Sequence, residues 1–293
     1  MQAAMVANSK SIQSNNLWQC PVCKCSLFLQ LGTWGCDNNH RFDCAKEGYV
    51  NLLLAQQKNS KEPGDNKGMV LARQAFLASH AYLPLAQVLA DIARTHLQLG
   101  ALASPCVPQL LDIGCSQGYY SGLIQHMLLQ FGLNLLVTGL DISKPAIVQA
   151  AKTYKQNRYA VASSFNIPLL SQSVDLALQV FAPSSSDEVL RVLAPKGMWL
   201  LVEPAPNHLH ELKTFVYDQV KTHDLKQQLP LGFTLIKQSN LCFSLPLDSP
   251  IDRLNLLKMT PFYWRISQSN KERMLGDLRC VTADFTIKQL QAR

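Results

Sequence analysis

The chain has 293 residues, 47% of them apolar, and a formal charge of +7. That length and apolar content allow one large or two unequal cores and exclude wholesale disorder. The charge excess is mild, and its Lys and Arg are scattered; it is compatible with a polyanionic partner without requiring one. The nine cysteines are an odd number, and five lie between residues 20 and 44. That clustering favours metal binding over a disulfide framework, and so a reducing, cytoplasmic compartment. The first 19 residues lack the apolar core of a signal peptide, and no apolar run is long enough for a membrane span.

In chain order, residues 1–19 are polar and read as a loose tail. Residues 20–54 form a Cys-rich unit in which Cys20, Cys23, Cys36 and His40 follow the spacing C-x2-C-x12-C-x3-H. Three thiolates and an imidazole are a tetrahedral zinc set, and the long excursion lets a hairpin return the second pair of ligands to the first. Cys25 is too close to Cys23 for easy chelation of the same ion, whereas Cys44 is an alternative to His40. With no open coordination position in view, the site reads as structural. "QQKNSKEPGDNKG" (residues 56–68) is a linker or exposed loop. From Met69 to Leu99 the apolar residues recur at helical spacing, with Pro84 marking a break between two helices. Residues 55–100 are therefore linker and helices, and residues 101–293 the main domain.

"VPQLLDIGCSQGYYSGLIQHMLL" predicts a buried strand, a glycine turn and a helix. "LLVTGLDIS" is a second strand, followed by the helix "PAIVQAAKTY". "YAVASS", "VDLALQVF" and "GMWLLVE" are three further strands. Such alternation implies an α/β fold with a mostly parallel, doubly wound sheet. After residue 230 the pattern changes. "GFTLIKQSNLCFSLPL" reads as strand, turn, strand; "PIDRLNLLKMTPFYW" as helical; and "VTADFTIKQL" as a last strand.

The first strand ends at Asp112, with Gly114 and Gly118 after it; the second ends in Asp141. Glycines let backbone approach a nucleotide, and an acid at the second strand's tip accepts hydrogen bonds from a ribose. The spacing D-x-G-x-x-x-G departs from the dinucleotide fingerprint, because its first position is Asp. That points away from a pyrophosphate and toward S-adenosylmethionine.

The combination "CPVC…C…H", "FDCAKEGYVNLL", "PGD", "ARQAFL", "LLDIGC…GYY", "GLDISK", "FAP", "GFTL" and "MTPFYWR" resembles the large-subunit (23S) ribosomal RNA guanine-N1 methyltransferases over about residues 18 to 290. The resemblance implies a class I S-adenosylmethionine-dependent methyltransferase fold with an N-terminal zinc module that helps to hold RNA. It implies transfer of a methyl group to N1 of one guanine in a 23S rRNA hairpin, and a homodimer. It also implies Cys20, Cys23, Cys36 and His40 as ligands of one structural zinc. Tyr82, Ser116, Gln117 and His208 are the implied cofactor contacts, beside Gly114 and Asp141 from the glycine turn and second strand. One position departs from the family: Ser116 stands where the loop has a middle glycine, and if positive φ is needed there, serine costs on the order of 1 kcal/mol. No catalytic residue is evident. Asp and Glu near the strand ends, Glu203 among them, and His208 are candidates for the base that takes the N1 proton. Phe262, Tyr263 and Trp264 either stack on a nucleotide or close a hydrophobic helix end, and the sequence favours the latter. Two other functions fit the same residues. One is a small-molecule methyltransferase with an expendable zinc unit. The other is a non-catalytic RNA-binding protein whose cofactor loop has decayed at Ser116.

Overall fold

A computed structural model describes residues 17–58, 60, 63–101, 106–220 and 229–293. Three short antiparallel strands open the chain: β1 (Phe28–Gln30), β2 (Thr33–Gly35) and β3 (Arg41–Asp43). β4 (Tyr49–Asn51) follows. Helices α1 (Lys67–Ala78) and α2 (Leu83–Ala101) come next, bent by 81° at the intervening break. The break is Ser79–Tyr82, where His80 takes a left-handed φ; Pro84 sits inside the first turn of α2, where its missing N–H costs nothing.

The alternating core then runs β5 (Gln109–Ile113), α3 (Tyr119–Gln130), β6 (Leu136–Asp141), α4 (Lys144–Thr153), β7 (Arg158–Val161), β8 (Val174–Val180), α5 (Ser186–Val192) and β9 (Leu193–Pro204). The chain closes with α6 (His210–Lys213), β10 (Phe233–Pro246), α7 (Pro250–Lys258), α8 (Gln268–Asp277) and β11 (Cys280–Ala292). The large sheet has the order β10-β11-β9-β8-β5-β6-β7-β4, and only β11 runs against its neighbours. The chain winds outward from β5 through β6 to β7, then crosses back to β8 and β9. The carboxyl ends of β5 and β8 therefore flank the point where strand order reverses, the place where open α/β sheets bind ligands. This is the class I methyltransferase sheet, with one extra parallel strand, β4, at its edge.

One expectation fails in the last third. Residues 233–246 form one continuous strand rather than a hairpin, paired with β11 along its whole length apart from a bulge between Leu235 and Lys237. Gln238, Ser239 and Asn240 look like a turn, but β10 is an edge strand with most side chains in water, so polar residues cost it little there. The loose tail also ends early. Leu17 and Trp18 are buried, and Trp18 bridges to Leu169. Residues 1–16 lie outside the described residues.

The sheet has two apolar faces. One packs α1, α2, α3, α7 and α8 over Leu110, Leu176, Leu200 and Phe285. On the other, Leu111, Ile113, Leu140 and Ala160 share a cluster with Trp18, Cys20, Leu27 and Cys36 of the N-terminal unit. Among the described residues no single helix is long and apolar enough to cross a membrane.

Because Trp18 is 2% exposed and joins the N-terminal unit to the sheet face, Trp18→Ala should lower unfolding stability by about 3–5 kcal/mol. Urea denaturation checks this; a loss under about 1 kcal/mol would show that the unit is not docked there.

Candidate functional site: a cofactor crevice and a metal cluster

The metal cluster is built by two knuckles. Cys20 and Cys23 lie in the first; the hairpin of β1 and β2 returns the chain to Cys36, and a turn presents His40. One ligand atom from each of the four lies within 4.8 Å of the others, with Cys23 Sγ 3.5 Å from Cys36 Sγ and Cys36 Sγ 3.4 Å from His40 Nδ1. Zinc bound tetrahedrally at about 2.3 Å from sulfur spaces its ligands by about 3.7 Å, so the donor set fits the ion in chemistry and size. Cys44 is not in the group. The backbone N–H of Cys25 and the Asn38 amide hold the Cys23 thiol down to about 5, whereas burial pushes Cys20 up to about 11. A thiol so buried becomes a thiolate readily only when a cation compensates it.

The crevice is built around Asp141. Its Oδ2 accepts the Ser116 N–H at 2.9 Å and its Oδ1 the Ser143 N–H at 2.8 Å. Each oxygen keeps a lone pair for a ribose hydroxyl. The glycine turn is tied to the same strand end, since Gly114 and Cys115 both donate to the Leu140 carbonyl. Gly114 has φ +69°, and a Cβ on it would lie 2.3 Å from that of Ala182, so only glycine lets the turn close against the loop after β8.

Ser116 has φ +49°, the left-handed conformation that a glycine would take without cost. Its side chain is not idle there. The hydroxyl accepts from Arg73 Nη1 at 3.0 Å and donates to Gln117 Oε1 at 3.1 Å. Arg73, on α1, also pairs with Asp65 and donates to the Met259 carbonyl at 3.0 Å. Asp65 in turn accepts the Ser143 hydroxyl through its carbonyl at 2.6 Å. The second half of the expected linker is thus a wall of the crevice. Asp65 and Arg73 lie within "PGD" and "ARQAFL", but sequence reasoning assigned them no role in the crevice.

Tyr82, at the start of α2, packs edge-on against Phe76 and Phe285, and its ring lies 6.3 Å from that of His208. Its hydroxyl is buried without a partner, and burial pushes it far above the usual phenol range. It is an uncharged hydrogen-bonding group, suited to a ligand atom. His208 Nδ1 accepts the Asp284 N–H at 3.2 Å. That places the proton of the neutral ring on Nε2 and leaves no lone pair with which to take another. Glu203 is ion-paired, with Lys288 Nζ donating to its Oε2 at 2.7 Å. Phe181, with φ +55°, packs on His208 and Phe285 at the end of β8. Tyr82 and His208 thus meet in one aromatic group, and Gly114, Ser116, Gln117 and Asp141 in one turn.

Residues 18–61 match the zinc-ribbon family model described as RlmA, N-terminal, and residues 110–197 a methyltransferase domain model. The chain is 35% identical to the 23S rRNA (guanine(748)-N(1))-methyltransferase of Streptomyces fradiae, over 89% of this chain and 90% of that one. It is 27% identical to YxjB of Bacillus subtilis, over 93% and 94% respectively. Among solved structures, YcgJ of Bacillus subtilis aligns at 19% identity with a TM-score of 0.41, covering 68% of this chain and 98% of that one.

Two outcomes follow from this geometry. Elemental analysis should find one zinc per chain, with Cys20→Ser or Cys36→Ser losing it; less than half an equivalent in protein purified without chelator would refute the site. In the crevice, Ser116→Gly relieves about 1 kcal/mol of strain and forfeits two hydrogen bonds, with Arg73 and Gln117, worth about 1–2 kcal/mol together, so cofactor affinity should stay within about fivefold. Arg73→Ala should weaken it more, by about 1–3 kcal/mol, because it unpairs Asp65 and releases the turn. Calorimetry in which Ser116→Gly is the more damaging change would reverse that assignment.

Proposed function

The chain belongs to the family of 23S rRNA (guanine-N1)-methyltransferases, and from that membership we infer that it moves a methyl group from S-adenosylmethionine to N1 of a guanine in a 23S rRNA hairpin. The observation that carries this reading is the similarity to the Streptomyces fradiae enzyme along 89% of the chain, zinc ribbon and crevice together. A small-molecule methyltransferase would have no use for the ribbon. The decayed-loop alternative is disfavoured by the glycine turn itself, whose backbone bonds to Leu140 and Asp141 are intact around Ser116.

The roles follow from placement. Asp141 would take the ribose hydroxyls, the Gly114–Gly118 turn would lie against the cofactor, and Tyr82 would offer its unpartnered hydroxyl. Bound S-adenosylmethionine supplies the electrophilic methyl group. Phe181, 43% exposed, is the ring on which the guanine would rest, with His208 packed beside it, and His208 can donate from Nε2 but not accept. N1 loses its proton as its bond to the methyl carbon forms and the carbon–sulfur bond breaks. With Glu203 paired to Lys288 and His208 filled, the proton leaves to solvent, and catalysis is positioning in near-attack geometry. N1 lies on the Watson–Crick edge, so the base must be unpaired or extruded first. The zinc ribbon, docked on the sheet face, holds the hairpin. A cytoplasmic location and a homodimer complete the proposal.

The decisive experiment is mass spectrometry of 23S hairpin fragments after incubation with protein and cofactor. N1-methylguanine is expected in one fragment; a protein that binds cofactor yet makes none would overturn the reading. Cys36→Ser should lose RNA methylation while keeping cofactor affinity. Truncation at residue 54 is a poorer test, since it would strip Trp18, Leu27 and Leu52 from the sheet face.

A pH dependence follows from Asp112, whose carboxyl is pushed up to about 7, chiefly by burial and further by the Asp141 charge. A cationic ligand favours its ionised form, so binding near pH 7 should release up to about half a proton and tighten as pH rises from about 6 to 8. Calorimetry in buffers of different ionisation enthalpy measures this. Identical heats in all buffers would contradict it.

A further inference from the structure

The aromatic run after α7 is not used by the crevice. Residues Pro261–Trp264 form a 3-10 turn between α7 and α8. Phe262 and Tyr263 pack partly against the core, but Trp264 is 66% exposed. It does not close a hydrophobic helix end; the expectation favoured by the sequence is wrong at this residue.

Cations interleave with the rings. Lys271 Nζ lies 5.1 Å from the Tyr263 ring centre, and Tyr263 stands edge-on to Trp264 at 5.1 Å. Arg265 donates to the Tyr217 hydroxyl at 3.2 Å, and the Arg273 guanidinium lies 5.6 Å from the Phe215 ring. Residues 258–279 carry Lys258, Arg265, Lys271, Arg273 and Arg279 against only Glu272 and Asp277. The patch is also tied to the crevice. Arg73 bonds both the Ser116 hydroxyl and the carbonyl of Met259, the residue that caps α7 just before the turn.

Resting on the RNA reading above, we propose that Trp264 is a stacking platform for an unpaired base beside the target guanine, with Arg265 and Lys271 on the adjoining phosphates. An exposed indole among cations suits single-stranded RNA, because every base has a π-face and every nucleotide a negative charge. A second copy of this chain is a worse occupant. A two-fold contact would set this basic patch against itself.

The test uses the full chain and the methylated hairpin. Trp264→Ala should weaken hairpin binding, read by fluorescence anisotropy, and raise its KM, both by about tenfold, while kcat and cofactor affinity change little. Trp264→Phe should retain most of the wild-type affinity, since a ring remains. Arg265→Ala with Lys271→Ala should flatten the salt dependence of binding by about two phosphate contacts. Unchanged hairpin affinity in Trp264→Ala overturns the proposal, as does sedimentation showing that this variant turns a dimer into a monomer. If wild-type protein binds the hairpin through Trp264 yet makes no N1-methylguanine, the platform stands and the methylation reading falls. If wild-type protein binds no RNA, both fall.

Discussion

The Asp141 carboxylate is the constraint on which the site depends. It joins the tip of β6 to the glycine turn after β5 and to the cap of α4, through the N–H groups of Ser116 and Ser143. An ionised acceptor makes such bonds stronger than a neutral one would. A side chain at position 116 is therefore tolerable. The left-handed conformation is enforced from the backbone side by Asp141, and the hydroxyl is taken up by Arg73 on the other. Replacing a glycine here changes what lines the crevice without undoing the turn.

Arg73 extends the same network outward. Its three partners belong to three separate parts of the chain: the "PGD" loop, the glycine turn and the end of α7. With both Arg73 and Asp65 about a quarter exposed, the pair is dry enough to matter and wet enough to form without a large desolvation cost. The zinc ribbon is fastened differently, by apolar burial. Cys20 and Cys36 lie in the same cluster as Leu111 and Leu140, so the metal stabilises a unit whose apolar side already belongs to the sheet. The ribbon thus has a fixed station on that sheet face.

Much of this was legible because its signals are local. The ligand spacing brings four metal donors together through one short hairpin, and the run from Gln109 to Gln130 states strand, turn and helix in direct succession. The edge strand β10 was not legible. The polar triplet Gln238–Asn240 means a turn when a strand is assumed half-buried, but not when most of its side chains face water. Nor could Asp65 and Arg73 be found. The contact between Arg73 and Ser116 spans 43 residues, and neither residue type is unusual in a linker or on a helix. For Trp264, apolar character was plain and exposure was not, because exposure depends on what the rest of the fold leaves uncovered.

The charges are sorted by depth, and this reconciles two ligands of opposite sign. Asp112 is buried and Asp141 partly buried inside the crevice, whereas Arg265, Arg273 and Arg279 are exposed. A cationic cofactor would be drawn by the acids within and RNA phosphates by the cations outside, and solvent and salt screen the exposed cations so that the two fields do not cancel. The separation also acts during turnover. Once the methyl group has left, the cofactor product would lack the sulfonium charge, Asp141 would be unchanged, and Asp112 would return toward its protonated form. Their attraction for the product is then weaker than for the substrate, which favours exchange of spent cofactor without any change in the protein.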